Sequence, residues 1–166
     1  NPSNYKQGAN CAINHVLKQA FSSSNKRFSI ENFLGDAWKI DDYWKVEPTL
    51  YMSKLKIRAD EFISERMKAT GKVSITEIYN YFSEAPYGMM PCGLSGFILG
   101  FILKDYLNGS YMYSDGTSSQ ALDGILLVSM IDDCLKNVVT PQRKYVDKYI
   151  QTFTVEQQKF RDVVSE

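Results

Sequence analysis

One apolar segment constrains the fold of this chain more than any other part of its sequence. Residues 94–103 form the longest apolar run, interrupted only by one serine and two glycines. The run is about half of the roughly 20 residues that a helix needs to cross a bilayer, so it predicts a helix buried in protein. We expect that helix to span Cys92–Leu107, with Pro91 in its first turn. Gly96 and Gly100 lie four residues apart, a spacing that favours close packing against another helix.

The segments around this helix follow one another in a recognisable order. Lys72–Ile75 is β-prone, and Thr76–Ser83 has the apolar spacing of a helix that stops before Pro86. Beyond the apolar helix come an Asn108-Gly109 turn, a strand at Tyr111–Tyr113, a tight Asp115-Gly116 turn and a returning strand within Thr117–Leu122. Lys72–Asp123 therefore predicts the strand, helix, helix and hairpin order of a winged helix.

Helical patterns occupy both flanks of this centre. The predicted helices are Tyr5–Phe21, a short one from Ser29 through Trp38, Thr49–Thr70 with a stop at Gly71, Ile125–Leu135, and a terminal one from the Thr154/Gln157 capping box to about Ser165. Residues 124–131 and 144–153 stay open between helix and strand. We predict an α+β, mostly α fold. An N-terminal helical segment (1–48), a winged-helix-like core (49–137) and a C-terminal segment (138–166) that packs on the core would form one compact unit.

Charge is distributed unevenly, although the 19 basic and 19 acidic residues cancel. The net charge is +4 over residues 1–72, −6 over 73–135 and +2 over 136–166. The acidic centre disfavours contact with the phosphates of nucleic acid. Three widely spaced cysteines and one histidine predict neither a disulfide framework nor a zinc site, and neither end carries a recognisable signal. We expect a reduced, cytoplasmic piece of a longer polypeptide with no metal, no cofactor and no membrane span.

No residue set in the chain demands a particular reaction, and we identify no catalytic residue. Cys11 and His15, four residues apart, would suit a thiolate–imidazole pair, but a second pair of metal ligands and an oxyanion site are missing. Adjacent carboxylates at Asp132-Asp133 and Asp41-Asp42 point about 100° apart on a helix, which favours solvated faces. The glycines at 88, 93, 96 and 100 lack the Gly-Lys-Ser/Thr of a phosphate loop. An enzyme would need a pocket that joins distant polar groups, such as His15 with a carboxylate.

Nucleic acid is the alternative partner that a winged-helix order suggests. The second helix would carry Lys104 as its only cation, and it has no Arg, Asn or Gln to pair with base edges. Sequence-independent backbone contacts are better placed on the basic residues of the long helix and its end, which are Lys54, Lys56, Arg58, Arg66, Lys68 and Lys72. A solvated helix face explains the same charges.

The turn and hairpin residues resemble those of a known family. The matching residues are Ala85-Pro86-Tyr87-Gly88, Gly93, the apolar helix ending at Tyr106, and Tyr113-Ser114-Asp115-Gly116-Thr117. They are similar to a winged-helix-like accessory region of large bacterial P-loop ATPases that accompany phage-defence systems of the BREX and phosphorothioation-linked type. The resemblance covers at most about 60 of the 166 residues. It implies docking or regulation and no ATP hydrolysis by this chain alone, because the chain has no Walker-type loop.

A non-enzymatic protein-interaction or regulatory module of a larger bacterial protein is the function that we predict. The candidate contacts with another protein, or with another domain of the same polypeptide, are Pro86, Tyr87 and Gly88 in a turn and Tyr111 and Tyr113 in the wing. We expect Gly88 at positive φ. Core packing is the competing explanation for the two wing tyrosines. The alternative function is a DNA-associated winged-helix domain with sequence-independent backbone contacts.

Overall fold

The computed structural model describes residues 3–16, 51–142 and 147–153. Its helices are α1 (Ser3–Asn10), which continues as a π-helical segment (Cys11–Val16), α2 (Tyr51–Thr70), α3 (Ile75–Ser83), α4 (Gly93–Leu103), which ends in a 3-10 turn (Lys104–Tyr106), and α5 (Gly124–Val139). Its strands are β1 (Lys72–Ser74), β2 (Tyr111–Ser114), β3 (Ser119–Ala121) and β4 (Tyr149–Thr152). The predicted α+β, mostly α class is confirmed.

The helix boundaries follow local chemistry. Gly71, at φ 76°, ends α2 as predicted, because a left-handed backbone there carries little steric cost for glycine. The Ser74 side chain accepts from the Glu77 N–H and the Glu77 carboxylate accepts from the Ser74 N–H, a capping box that starts α3 one residue before the predicted Thr76. Residues 124–131, left open in the sequence, belong to helix α5.

Two predicted helices differ from the observed ones, and others cannot be compared. Pro91 precedes the cap residue Cys92 instead of lying in the first turn, and α4 gives way to the 3-10 turn before Leu107. The N-terminal helix is α-helical only to Asn10. The short helix predicted from Ser29 and the terminal helix after Thr154 lie outside the described residues.

The sheet is antiparallel throughout and has the order β1-β4-β2-β3. Val73 faces Ile150 in the β1–β4 pair, and Met112 faces Gln151 in the β2–β4 pair. The predicted hairpin is present as β2–β3. A winged-helix centre built from Lys72–Asp123 alone would place β1 beside this hairpin, whereas here β4 separates them. Residues 149–152, within the segment predicted as helix or strand, therefore form the inner strand next to β1.

The core is organised around α4. Residues 95–103 of this helix are all buried, which confirms the prediction that protein encloses it. α1 approaches α4 closely because glycines face it: a Cβ added at Gly96 would lie 2.5 Å from the Tyr5 carbonyl oxygen. At Gly100 the added atom would lie 3.0 Å from the Ala9 carbonyl oxygen. The helix-packing role predicted for both glycines is confirmed.

Candidate functional site

The turn between α3 and α4 is fixed by its own main chain. The N–H groups of Tyr87 and Gly88 both donate to the Glu84 carbonyl, at 3.0 and 3.1 Å, and the N–H of Met89 donates to the Phe82 carbonyl at 2.8 Å. Gly88 has φ 62°, so its predicted positive φ is confirmed, and the Ala85–Pro86 peptide is cis. The chain therefore leaves α3 in a defined conformation.

Side chains hold the same turn from the core. The Tyr87 ring meets Phe82 edge to face, with centroids 5.0 Å apart and planes at 71°. The Tyr79 hydroxyl donates to the Met89 carbonyl at 3.3 Å, and the Ser95 hydroxyl donates to the Met90 carbonyl. These contacts fix the turn against both α3 and the first turn of α4.

Two open depressions adjoin this turn, and Leu55 and Tyr87 line both of them. The larger, about 360 Å³, is also lined by Lys54, Ile57, Arg58 and Glu61 from α2. The smaller, about 220 Å³, is lined on its other side mainly by Met89, Met90, Cys92, Leu94 and Ile98. We call the two together the Tyr87 groove. One wall is the N-terminal half of α2, and the other runs from the end of α3 through the turn into α4.

Large apolar side chains are exposed along this groove. Met90 is 71% exposed, Leu94 44% and Ile57 40%. Within the described parts of the chain, the other exposed large hydrophobic residues are Ile125 and Val139, on α5. Single exposed apolar residues are ordinary, but a cluster around a concave surface is typical of an interaction site.

Among the described residues that line the groove, the charged ones all lie on its α2 wall. Arg58 Nη1 lies 3.1 Å from Glu61 Oε2, and both side chains are more than half exposed. The Glu61 carboxylate, followed by the Tyr87 hydroxyl, raises the pKa of Arg58. Lys54 is exposed beside them, whereas the sequence from 85 to 103, which supplies the turn and α4, contains no charged residue. The groove thus has one basic wall and one neutral wall.

The predicted partner contacts divide into two locations. Tyr87 and Gly88 line the groove, and Pro86 is exposed in the same turn. Tyr111 and Tyr113 are only half-buried on β2 and pack against the core; the Tyr111 ring centroid is 5.1 Å from that of Tyr106. For the wing tyrosines, this placement favours the competing explanation of core packing.

The predicted nucleic-acid residues do not form one free surface. Lys54, Arg58, Lys68 and Lys72 are exposed, and the Lys72 ammonium lies 4.4 Å from the centre of the Tyr149 ring. Arg66 pairs with Glu77 at 3.1 Å. Lys56 is only 7% exposed, so it cannot reach a phosphate while its present contacts hold. Acidic residues thus interrupt or occupy much of the predicted basic run.

Lys56 belongs instead to an ion cluster where α2 crosses the end of α4. Its ammonium lies 2.9 Å from Asp105 Oδ2 and 3.0 Å from Asp60 Oδ2. Lys104 Nζ lies 3.3 Å from Asp105 Oδ1, and the Tyr106 hydroxyl donates to Asp60 Oδ1 at 2.9 Å. Burial, with Asp60 close by, raises the pKa of Tyr106 far above its ordinary value, so its hydroxyl stays a donor. The cluster consequently fastens α2 to the 3-10 turn after α4.

Lys104 is the single cation of the helix that would enter a DNA groove. Only 6% of it is exposed, and its ammonium lies 4.4 Å from the centre of the Phe101 ring. Burial lowers its pKa, because a desolvated ammonium is less stable than one in water. This position points into the protein, away from any duplex.

The other sequence candidates are separated from one another. Asp132 pairs with Lys136 at 2.7 Å and Asp133 pairs with Lys148 at 2.8 Å, so the adjacent carboxylates diverge as predicted. The solvated face predicted for them is wrong for Asp132, which is buried on α5. Burial raises the pKa of both Cys11 and Cys134 to about 12, which makes each a weak nucleophile. The His15 side chain and Asp41-Asp42 lie outside what the structure describes.

Metal-binding clusters and membrane-spanning helices are both absent from the described parts of the chain. Within residues 3–16, 51–142 and 147–153, no group of three or more His, Cys, Asp or Glu side chains is arranged to hold a metal ion. None of the helices in these ranges combines the length and the apolar character needed to cross a bilayer.

The exposed apolar residues of the groove, Ile57, Met90 and Leu94, are not among the contacts that the sequence predicts. The sequence does not single them out, because hydrophobicity alone does not distinguish a buried position from an exposed one. A signal was present in the Met89-Met90 pair between Gly88 and Pro91, where the chain cannot be regular helix.

The class that these observations define is an α+β, mostly helical domain with a four-stranded antiparallel sheet. No protein-family model matches the sequence, and comparison with curated proteins and with solved structures finds no significant match.

Proposed function

We propose that this domain is a non-enzymatic protein-interaction or regulatory module of a larger bacterial protein and acts in the cytoplasm. Its partner is another protein or another domain of the same polypeptide, which docks in the Tyr87 groove. The observation that carries the proposal is the exposure of Met90, Leu94 and Ile57 around a concave surface. Burying such side chains is favourable by about 25 cal/mol per Å² of apolar area.

The fixed turn strengthens the proposal. Three main-chain hydrogen bonds and the Phe82–Tyr87 ring contact hold the wall of the groove in place. A surface that is already ordered loses little conformational entropy when a partner binds, so more of the contact energy appears as affinity. The same Pro86-Tyr87-Gly88 turn is part of the resemblance to P-loop ATPase accessory regions, and docking onto such an ATPase in a phage-defence system is the narrower form of the proposal.

A photocrosslinking experiment tests the docking site. A photoreactive benzoylphenylalanine would replace Met90 in one version of the protein and Ile125 in another, both expressed in the source cell. Ile125 is the matched control, because it is also exposed, at 84%, but is on α5 and lines neither depression. We expect a discrete crosslinked product from position 90 and none from position 125. Equal labelling from both positions, or none from position 90, would contradict the proposal.

The DNA-associated alternative has one observation in its favour, the exposure of Lys54, Arg58, Lys68 and Lys72. Backbone contacts of this kind weaken steeply with salt. Fluorescence anisotropy on a random-sequence duplex at about 50 and about 200 mM salt therefore separates the two functions. We expect no binding at the lower salt concentration. Binding at the lower concentration that weakens at the higher one would support the DNA-associated alternative instead.

A further inference from the structure

We infer that the occupant of the Tyr87 groove is an amphipathic α-helix that places apolar side chains in the two depressions and carboxylates beside Lys54 and Arg58. This inference rests on the proposed function and specifies the chemistry of the partner.

The shape of the groove favours a helix over an extended peptide. An added strand requires a free sheet edge, but the groove walls come from α2, α3, the turn and α4. Proline-rich ligands need a row of exposed aromatic rings. In the described part of the chain two aromatic residues line the groove; Tyr87 is half-exposed and Phe82 is fully buried. Two adjoining depressions with shared walls suit two apolar anchors on the same face of one helix.

The apolar walls are suited to such anchors. Met89 and Met90 line the smaller depression, and methionine side chains adapt their shape to different apolar partners. Leu55 is buried and lies beneath both depressions, so an incoming side chain meets an apolar floor. Leu94 and Ile57 border the depressions from opposite walls, on α4 and α2.

The charges specify the polar face of the partner. The groove lining carries Lys54, Arg58 and Glu61, a formal charge of +1, and this local excess contrasts with −6 over residues 73–135. The Arg58–Glu61 pair is exposed on both sides, so it contributes little stability and can exchange for a carboxylate of the partner. Acidic residues flanking the apolar anchors therefore complement the basic wall, whereas basic ones would be repelled.

The test is a selection of peptides on the full 166-residue chain. A displayed library of roughly 16-residue peptides, long enough for several helical turns, would be enriched on the immobilised protein. We expect enriched peptides to carry apolar residues at i, i+3 or i+4 and i+7, with Asp or Glu beside them. Circular dichroism would report helix formation when a synthetic enriched peptide binds.

Matched variants then identify the surface. Met90→Asp should weaken the best peptide at least about tenfold, because a charge enters an apolar contact, while Ile125→Asp should change its affinity less than about twofold. The double substitution Lys54→Glu with Arg58→Glu should weaken the acidic peptide and strengthen a version whose Glu residues are replaced by Lys. Lys54, Arg58 and Ile125 are exposed helix residues, and Met90 is exposed in the turn before α4. Thermal melts of each variant would check that folding is retained.

Three outcomes would overturn the inference, and they differ in what they mean for the proposed function. Enrichment of proline-rich, extended or basic peptides that still depend on Met90 overturns the helix and charge assignment but leaves docking in the groove intact. Binding without charge-swap rescue overturns the role of Lys54 and Arg58. If no enriched peptide is sensitive to Met90→Asp, the inference as a whole is overturned. The proposed function also fails only if crosslinking from position 90 is absent or equals that from position 125.

Discussion

The two ends of the apolar helix α4 differ in how far the rest of the protein covers them. At the C-terminal end Phe101, Ile102 and Leu103 are fully buried, and even the charged Lys104 is 6% exposed and paired. At the N-terminal end Leu94 is 44% exposed, and Met90 just before the helix is 71% exposed. The protein therefore encloses the C-terminal end of α4 completely. The exposure at the N-terminal end is a local property of the turn and the groove.

The largest expected effect tests this contrast with one substitution at two positions of α4. Leu99→Ala should lower the free energy of unfolding by about 2–5 kcal/mol, because it leaves a cavity in the core around a fully buried side chain. Leu94→Ala should lower it by less than about 1 kcal/mol, since much of that side chain already contacts water. Urea denaturation with a common m-value measures both. Equal losses would show that the groove end of the helix is packed as tightly as the core.

A smaller effect is expected at the ion cluster, where Lys56 and Lys104 both contact Asp105 and Lys56 also contacts Asp60. Lys56→Met should cost roughly 1–3 kcal/mol; the value lies below that for a fully buried pair, because Asp60 and Asp105 are 41% and 44% exposed. Burial alone would lower the pKa of Lys56, but hydrogen bonds and charges from Asp105 and Asp60 outweigh burial and raise it, so the folded state favours this cation.

Lys104→Met is the matched control for Lys56→Met. Burial lowers the pKa of Lys104, and Asp105 keeps Lys56 as a partner when Lys104 is removed. We expect a change within about 1 kcal/mol, of either sign. Urea denaturation of the two variants side by side decides, and a larger loss for Lys104→Met would reverse our assignment of the two roles.

The smallest effect concerns acid pH. Burial would raise the pKa of Asp105, but Lys56 and Lys104 outweigh it and hold that pKa below its ordinary value. A carboxyl group of this kind stabilises the fold above its unfolded pKa, about 3.9, and loses that contribution as the pH falls through the folded pKa. The pH-dependent part of the cost of Asp105→Asn should therefore be under about 1 kcal/mol near neutral pH, with discounting because the carboxylate is 44% exposed, and it should shrink as the pH falls below about 3.9. Urea midpoints at several pH values measure the difference, and a gap that widens on acidification would contradict the assignment.

Features that depend on local pattern were predictable from the sequence. The burial of α4, the glycine contacts with α1, the end of α2 at Gly71 and the positive φ of Gly88 each have a signal within a few residues. The capping box of Ser74 and Glu77 has the same kind of local signal, although the predicted helix starts only at Thr76.

Features that depend on distant partners were not predictable. The place of β4 between β1 and β2 joins Val73 to Ile150, and no short-range pattern encodes that pairing. The polar neighbours of Lys56 in its helix predict a solvated cation. In the structure it is buried and pairs with Asp105, which is distant in the sequence. The groove escaped prediction for the same reason, because Ile57 and Met90 come together only once α2 packs against the turn.

The position of β4 has a consequence for the newborn polypeptide. A ribosome releases the chain from its N-terminus, so Lys72–Ser74 leaves the exit tunnel long before Tyr149–Thr152, its neighbour in the finished sheet. Until those last residues emerge, β1 and the β2–β3 hairpin both present the unpaired edges that β4 later occupies. A translation product stalled before Tyr149 is thus expected to expose both edges to chaperone capture and to aggregation.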